Sequence, residues 1–205
     1  KTKSVQHFAE SLSDEGVNVL LMDIKGDVSG LAVPGTENPK VTQRMKIIGV
    51  DWKPTGFPVE LMTISGERGL RLRATVSEFG PVLFSKMLEL NENQQGAVAV
   101  IFKYCDDKKW PLLDLKDVRA VLQHISDGAG RDEVTQQYGA VSTATIGVIQ
   151  RKLLELEQQG GDTFFGEKSF DVADLLSPAG ERGRINILRL SDIQDRPRLF
   201  STFML

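Results

Sequence analysis

Residues 1–27 read KTKSVQHFAESLSDEGVNVLLMDIKGD, and the order of elements within them sets the fold class. Val5, Phe8, Ala9 and Leu12 follow the i, i+3, i+4, i+7 spacing of a helix with one buried stripe, which predicts a helix over 2–13 that Gly16 stops. The run VNVLLMD, 17–23, is continuous and rich in Val and Leu, as expected of a parallel-sheet strand covered on both faces. Helix, short turn and buried strand make up part of a βαβ unit.

Working outward, the loop KGDVSGLAVPGTENP leads to a short helix expected at 39–48 and ended by Gly49. PVELMTI, 58–64, alternates as a second strand does, and GLRLRATV, 69–76, reads as extended after the GERG turn. From residue 80 the pattern turns helical. PVLFSKMLEL is one helix, and NENQQGAVAVIFKYC is a second, with Asn91 and Gln94 placed as a capping box. Asp114 is the expected N-cap of LKDVRAVLQHI, and the polar, glycine-containing SDGAGRDEVTQQYGAV reads as a mobile connection. A helix over 142–159 takes Ser142 as cap, buries Ile146, Ile149, Leu153 and Leu156, and stops at Gly160 and Gly161. GRINILRL, 183–190, is strand-like, and RPRLFSTFML begins a further helix. The expected architecture is an α/β parallel sheet, built from 1–76 and 180–205, interrupted by a mainly helical insertion at 80–178.

With 205 residues, 40% of them hydrophobic, the chain can fill an ordinary soluble core. Its apolar runs end far short of the ~20 residues a membrane span needs, so no membrane segment and a cytoplasmic location are expected. A formal charge of −3 gives no overall attraction to nucleic acid. Cys105, the one cysteine, has no sequence-placed base to activate it and is expected to be a buried thiol. His7 and His124 stand far apart, without cysteine or carboxylate at metal-ligand spacing, so a zinc site is not expected and His7 is read as a surface residue. Arg68, Arg71 and Arg73, and again Arg182, Arg184 and Arg189, are able to touch phosphates; solvated strand faces explain them as well or better.

Lys1 and Thr2 stand at the N-terminus of the first helix, as the last two residues of the phosphate-binding pattern G-x-x-x-x-G-K-[ST] do. In that pattern the lysine reaches the β- and γ-phosphates and the hydroxyl binds Mg²⁺. Asp23 ends an apolar run and so imitates a Mg²⁺-holding strand end. A strand that directly follows the phosphate-loop helix does not ordinarily carry that aspartate, and Asp23, Lys25 and Asp27 equally well shape a loop through Asx turns.

The whole chain resembles the bacterial HerA-like helicases, P-loop ATPases of the HerA–FtsK superfamily. The resemblance rests on five blocks in order: KTKSVQHFAESLSDEGVNVLLMDIKGDVSGLA, FPVELMTISGERGLRLRATVSEFGPVLFSKMLELNENQQG, LLDLKDVRAVLQHI, YGAVSTATIGVIQRKLLELEQQGGDTFFGE and GRINILRLSDIQDRPRLFSTFML. It implies a RecA/FtsK-like P-loop NTPase core that binds ATP and Mg²⁺, moves DNA and works as a homo-oligomeric ring. It makes Lys1 and Thr2 the end of a Walker A motif whose glycines lie upstream, and puts the Walker B strand, with its Asp–Glu pair, beyond Leu205. Asp23, Lys25 and Asp27 match the family's D-x-K-G-D loop and join Lys1 and Thr2 as candidate nucleotide-side residues. Residues 1–205 alone are then expected to bind ATP weakly or not at all, and hydrolysis by them alone is expected still less. An interaction module whose helical block recruits a partner is the alternative expectation, and a conjugation or secretion motor differs from the first mainly in substrate.

Overall fold

The computed structural model describes residues 1–66, 68–177 and 179–204, with the side chains of 201–204 left aside. It divides into two compact units: one comprises 1–63, 68–70 and 171–191, the other 64–67, 71–170 and 192–205.

The first unit carries the sheet. Helix α1 (Thr2–Asp14) leads into strand β1 (Val19–Asp23), a 3-10 turn at Ser29–Ala32 follows, and α2 (Pro39–Ile48) is capped by Asn38 and ended by left-handed Gly49. Strands β2 (Val59–Thr63) and β3 (Leu70–Arg71) come next, and a later strand, Ile185–Arg189, enters between β1 and β2. That later strand is labelled β4, giving the order β1-β4-β2-β3, and both of its pairings are parallel. One face of the sheet packs Ile185 and Ile187, with Val19, Leu21, Val59 and Leu61, against Ala9, Val28, Leu31 and Phe57.

Helix α1 lies antiparallel to the strands and is pinned at both ends. Near its carboxyl end, Ser13 Oγ donates to the Gly183 carbonyl at 2.5 Å, while the Gly183 N–H donates to the Ser13 carbonyl at 2.8 Å. A Cβ on Gly183 would stand 2.0 Å from the Val17 carbonyl oxygen, so only glycine lets the chain enter β4 there.

Two expectations for this unit are corrected. The helix stripe buries Gln6, Ala9 and Ser13, whereas Val5 and Phe8 are 47% and 67% exposed. Small side chains let α1 approach the strands closely, and the larger apolar ones fall on the neighbouring face. Strand β1 is likewise covered on one side only: Leu20 and Met22 are 51% and 49% exposed. It is the outermost strand, and pairing with β4 through Val19 N–H turns the backbone groups of Leu20 and Met22 toward the open edge.

The second unit is helical. Helix α3 (Val76–Met87) is followed by α4 (Glu92–Lys108), α5 (Leu115–Asp127), α6 (Gly130–Tyr138), α7 (Thr143–Gln158), the single turn α8 (Gly161–Phe164) and α9 (Pro197–Met204). Its core is aromatic: Phe79, Phe84, Phe164 and Phe165 pack edge-to-face with centroids 4.9–6.0 Å apart. The Asn91–Gln94 capping box, the Asp114 and Ser142 caps and the buried stripe of α7 are as the sequence predicts.

Three features of this unit differ from expectation. The stretch 69–76 is extended only at β3 and at an isolated bridge between Ala74 and Phe165; Thr75 and Glu78 form a capping box that starts α3 at Val76, and the helix kinks at Gly80–Pro81. Residues 130–138, read as a mobile connection, form α6. Residues 192–204, grouped with the strand frame by sequence, belong to the helical unit, because Leu199 is fully buried there and Arg198 reaches Glu155 at 2.5 Å and the Leu88 carbonyl at 3.2 Å. Glu67, Pro178 and Leu205 lie outside the described residues, and with them part of the GERG turn and the end of the last predicted helix. No helix among the described residues is long and apolar enough to cross a membrane.

Candidate functional site

Asp23 closes β1 and is 1% exposed. A carboxylate buried to that degree must be satisfied, and both of its oxygens are: Oδ1 accepts the Gly26 N–H at 2.8 Å and Oδ2 the Val28 N–H at 3.1 Å. These bonds fold Ile24–Asp27 into a turn beyond the carboxyl end of the strand, and the Leu190 N–H, donating to the Asp23 carbonyl at 2.9 Å, ties that turn to the end of β4. Lys25 and Asp27 are exposed on it.

Gln6 joins this turn to α1. Its Nε2 donates to the Asp27 carbonyl at 2.8 Å, which brings the amino-terminal half of α1 to the carboxyl end of β1. The first turn of α1 then lies on the side of the sheet where ligands of open α/β folds bind. Lys1 is exposed at the N-cap and Thr2 is half-buried. The Lys1 carbonyl accepts from Ser4 and Val5, no side chain caps the turn and no acidic residue lies in it. The amides of this turn and the helix dipole therefore face outward as an anion-accepting surface.

The candidate residues thus fall into two sets. Lys1 and Thr2, on the open turn, suit a phosphate and the hydroxyl ligand of its cation. Asp23 does not suit a cation directly, since both oxygens are spent on backbone amides, and it instead gives the loop its shape. Among the described residues no group of three or more His, Cys, Asp or Glu side chains stands close enough to hold a metal ion. Gln6 went unmarked in the sequence; its signal is its place one and two turns before Ala9 and Ser13 on the buried face.

The arginines are used locally. Arg182 reaches Asp14 at 3.0 Å, donates to the Gly56 carbonyl and stacks over Phe57 with its guanidinium carbon 5.0 Å from the ring centroid. Arg184 pairs with Glu60 at 3.9 Å, Arg189 donates to the Arg68 carbonyl, and Arg73, half-buried, donates to the Phe165 carbonyl. Cys105 is buried, and burial pushes its thiol up to about 11. His7 is exposed on α1.

A second polar cluster, in the helical unit, joins α4, α5 and α6. Buried Tyr104 donates to Glu133 at 3.1 Å and lies 3.2 Å from His124 Nε2, while Lys108 pairs with Glu133 at 2.6 Å. Tyr138 donates to Asp107 at 2.5 Å. The Lys108 bond lowers the Glu133 carboxyl below its ordinary value, and the Asp107 bond raises the Tyr138 phenol to about 12. Gly130 sits against the His124 ring, where a Cβ would come within 2.4 Å of Cδ2. This cluster anchors α6, whose one buried residue besides Gly130 is Val134.

The sequence profile described as helicase HerA-like C-terminal matches residues 1–205. The chain belongs to that family. The four-stranded sheet with parallel pairings, preceded by a helix whose first turn lies at the strand ends, is consistent with a P-loop NTPase-like fragment. No curated protein matches the chain.

Proposed function

We propose that this HerA-like chain is part of the ATP-binding core of a motor that moves along DNA, with Lys1 at the nucleotide phosphates and Thr2 at the Mg²⁺ ion. The observation that carries this reading is the first turn of α1, uncapped and free of acidic side chains, at the carboxyl end of parallel strands. Bound ATP with Mg²⁺ supplies the phosphoanhydride whose cleavage drives such motors. What these residues contribute is positional: α1 aims its dipole at negative charge, Lys1 adds a cation, and Asp23 with Gln6 fixes Lys25 and Asp27 beside the same end of the helix. The open edge of β1, flanked by exposed Leu20 and Met22, fits a further parallel strand, the one on which the family resemblance puts the Asp–Glu pair.

The test is steady-state ATP hydrolysis by a polypeptide extended on both sides of these residues, with and without double-stranded DNA. Lys1→Ala is expected to abolish turnover and DNA to raise it. Turnover unchanged in Lys1→Ala refutes the phosphate assignment, and turnover indifferent to DNA refutes the substrate.

A further inference from the structure

A cleft of about 570 Å³ in the sheet-bearing unit runs along α1 from Lys3 to Asp14 and is lined as well by the segments on either side of α2. Its volume falls within the roughly 300–1,000 Å³ that small-molecule sites occupy. Most of the charge around it is spent within the chain: Glu10 faces His7 at 3.7 Å, Asp14 pairs with Arg182 at 3.0 Å and Asp51 with Lys53 at 3.8 Å. A smaller set of lining groups has no partner among the described residues. Two are acceptors. Gln6 is 8% exposed, its Nε2 is committed to the Asp27 carbonyl at 2.8 Å, and its Oε1 accepts from no donor. The same bond keeps Asp27 beside Gln6, and the Asp27 carboxylate is exposed and unpaired. Two are donors: the Lys3 ammonium, about one turn of α1 before Gln6, makes no ion pair, and the Trp52 indole N–H meets no acceptor.

Trp52 is half-buried, and its ring pairs with no other ring or cation among the described residues, whereas Phe57, the other aromatic of the cleft, already carries the Arg182 guanidinium 5.0 Å from its centroid. Gly35 lines the cleft without a side chain and keeps the space beside the indole free; a Cβ there would stand 3.7 Å from Trp52 Cζ2. The cleft thus presents a flat aromatic wall, neighbouring acceptors and a separate cation. Neighbouring acceptors are matched by neighbouring N–H donors. Guanine is the planar ring that carries such a pair: its ring N–H and its amino group lie side by side and meet a carboxylate with two parallel bonds. Adenine sets a ring lone pair beside its amino group and would turn it toward the carboxylate. A guanidinium has paired donors too, but it brings positive charge to Lys3 and gives the ammonium and the indole N–H nothing to donate to.

We propose that this cleft is a binding site for a guanine mononucleotide, with the base stacked on Trp52, its donor edge on the Asp27 carboxylate and Gln6 Oε1, and its phosphate at Lys3. The site uses neither Lys1 nor Thr2. It is therefore a second nucleotide site beside the phosphate turn, and its occupancy is read without ATP turnover, so its failure and that of the phosphate assignment are separate results.

The test is isothermal titration calorimetry of GMP, AMP, guanosine and N-acetylarginine amide into the polypeptide extended on both sides. GMP is expected to bind at least about ten-fold more tightly than AMP, the discrimination of a paired base edge. Asp27→Asn turns an amide N–H toward that edge and is expected to weaken GMP at least about ten-fold. Trp52→Ala removes the stacking wall, with a loss of at least about ten-fold. Lys3→Gln is expected to weaken GMP and leave guanosine unchanged, because only the phosphate meets the ammonium. An unchanged circular dichroism spectrum and melting temperature confirm that each variant is folded; Asp27 and Lys3 are exposed, so their variants carry the test should Trp52→Ala not fold. Saturating ATP with Mg²⁺ is expected not to displace GMP. Absence of GMP binding, AMP or the arginine amide bound as tightly as GMP, parental affinity in Asp27→Asn, or displacement of GMP by ATP would each overturn the proposal.

Discussion

Replacing Asp23 tests whether this residue is spent on shaping the loop. In Asp23→Ala two charge-assisted hydrogen bonds disappear. The Gly26 N–H is partly accessible, so water replaces most of what it loses, at a cost of about 1 kcal/mol. The Val28 N–H is buried and would be left without an acceptor, a loss of about 2 kcal/mol. The sum is about 3 kcal/mol, a large share of the 5–15 kcal/mol that roughly spans domain stabilities. Asp23→Asn keeps one acceptor but turns an amide N–H toward the other donor, so about 2 kcal/mol is expected. Urea unfolding at neutral pH measures both, and hydrogen exchange at Gly26 and Val28 localises the effect. A loss below about 1 kcal/mol in Asp23→Ala would refute the loop-shaping account. So would Asp23→Asn of parental stability that had lost ATP turnover, which would make Asp23 a nucleotide-side ligand instead.

Other expectations follow from the same geometry. Gly183→Ala drives a methyl into the Val17 carbonyl and is expected to lower stability by about 3 kcal/mol, or to prevent folding, as read by urea unfolding and soluble yield. The Glu133 and Asp107 carboxyls are held low, chiefly by Lys108 and Lys103 respectively. Their contribution to anchoring α6 is therefore complete above the ordinary carboxylate range and lost as pH falls through their lowered values, and Glu133→Gln should flatten the acid dependence of exchange at the Val134 amide. Cys105, raised to about 11, should react with a thiol reagent at pH 8 only as fast as the helical unit opens; a rate independent of added urea would contradict its burial.

Much of the fold was legible because its signals are local. The caps at Asn91, Asp114 and Ser142, the stop at Gly49 and the stripe of α7 are set by side chains bonding or packing within a turn or two of themselves. Helix α6 was missed for the opposite reason. Its sequence is polar and follows a glycine-rich stretch, and what holds it is a set of bonds to Tyr104, Asp107 and Lys108, twenty or more residues away.

By itself, the sequence determined most of the element order, the parallel α/β class and the position of Lys1 and Thr2 at the start of the first helix, because hydrophobic period and capping chemistry are written in neighbouring residues. Only the tertiary structure decided that β1 is an edge strand with one open face, that α1 rests on Gln6, Ala9 and Ser13, and that Asp23 spends both oxygens on its own loop. The cause is distance along the chain. Which side of an apolar strand is covered, and which partner satisfies a buried carboxylate, depend on β4 arriving beside β1 from more than 160 residues away.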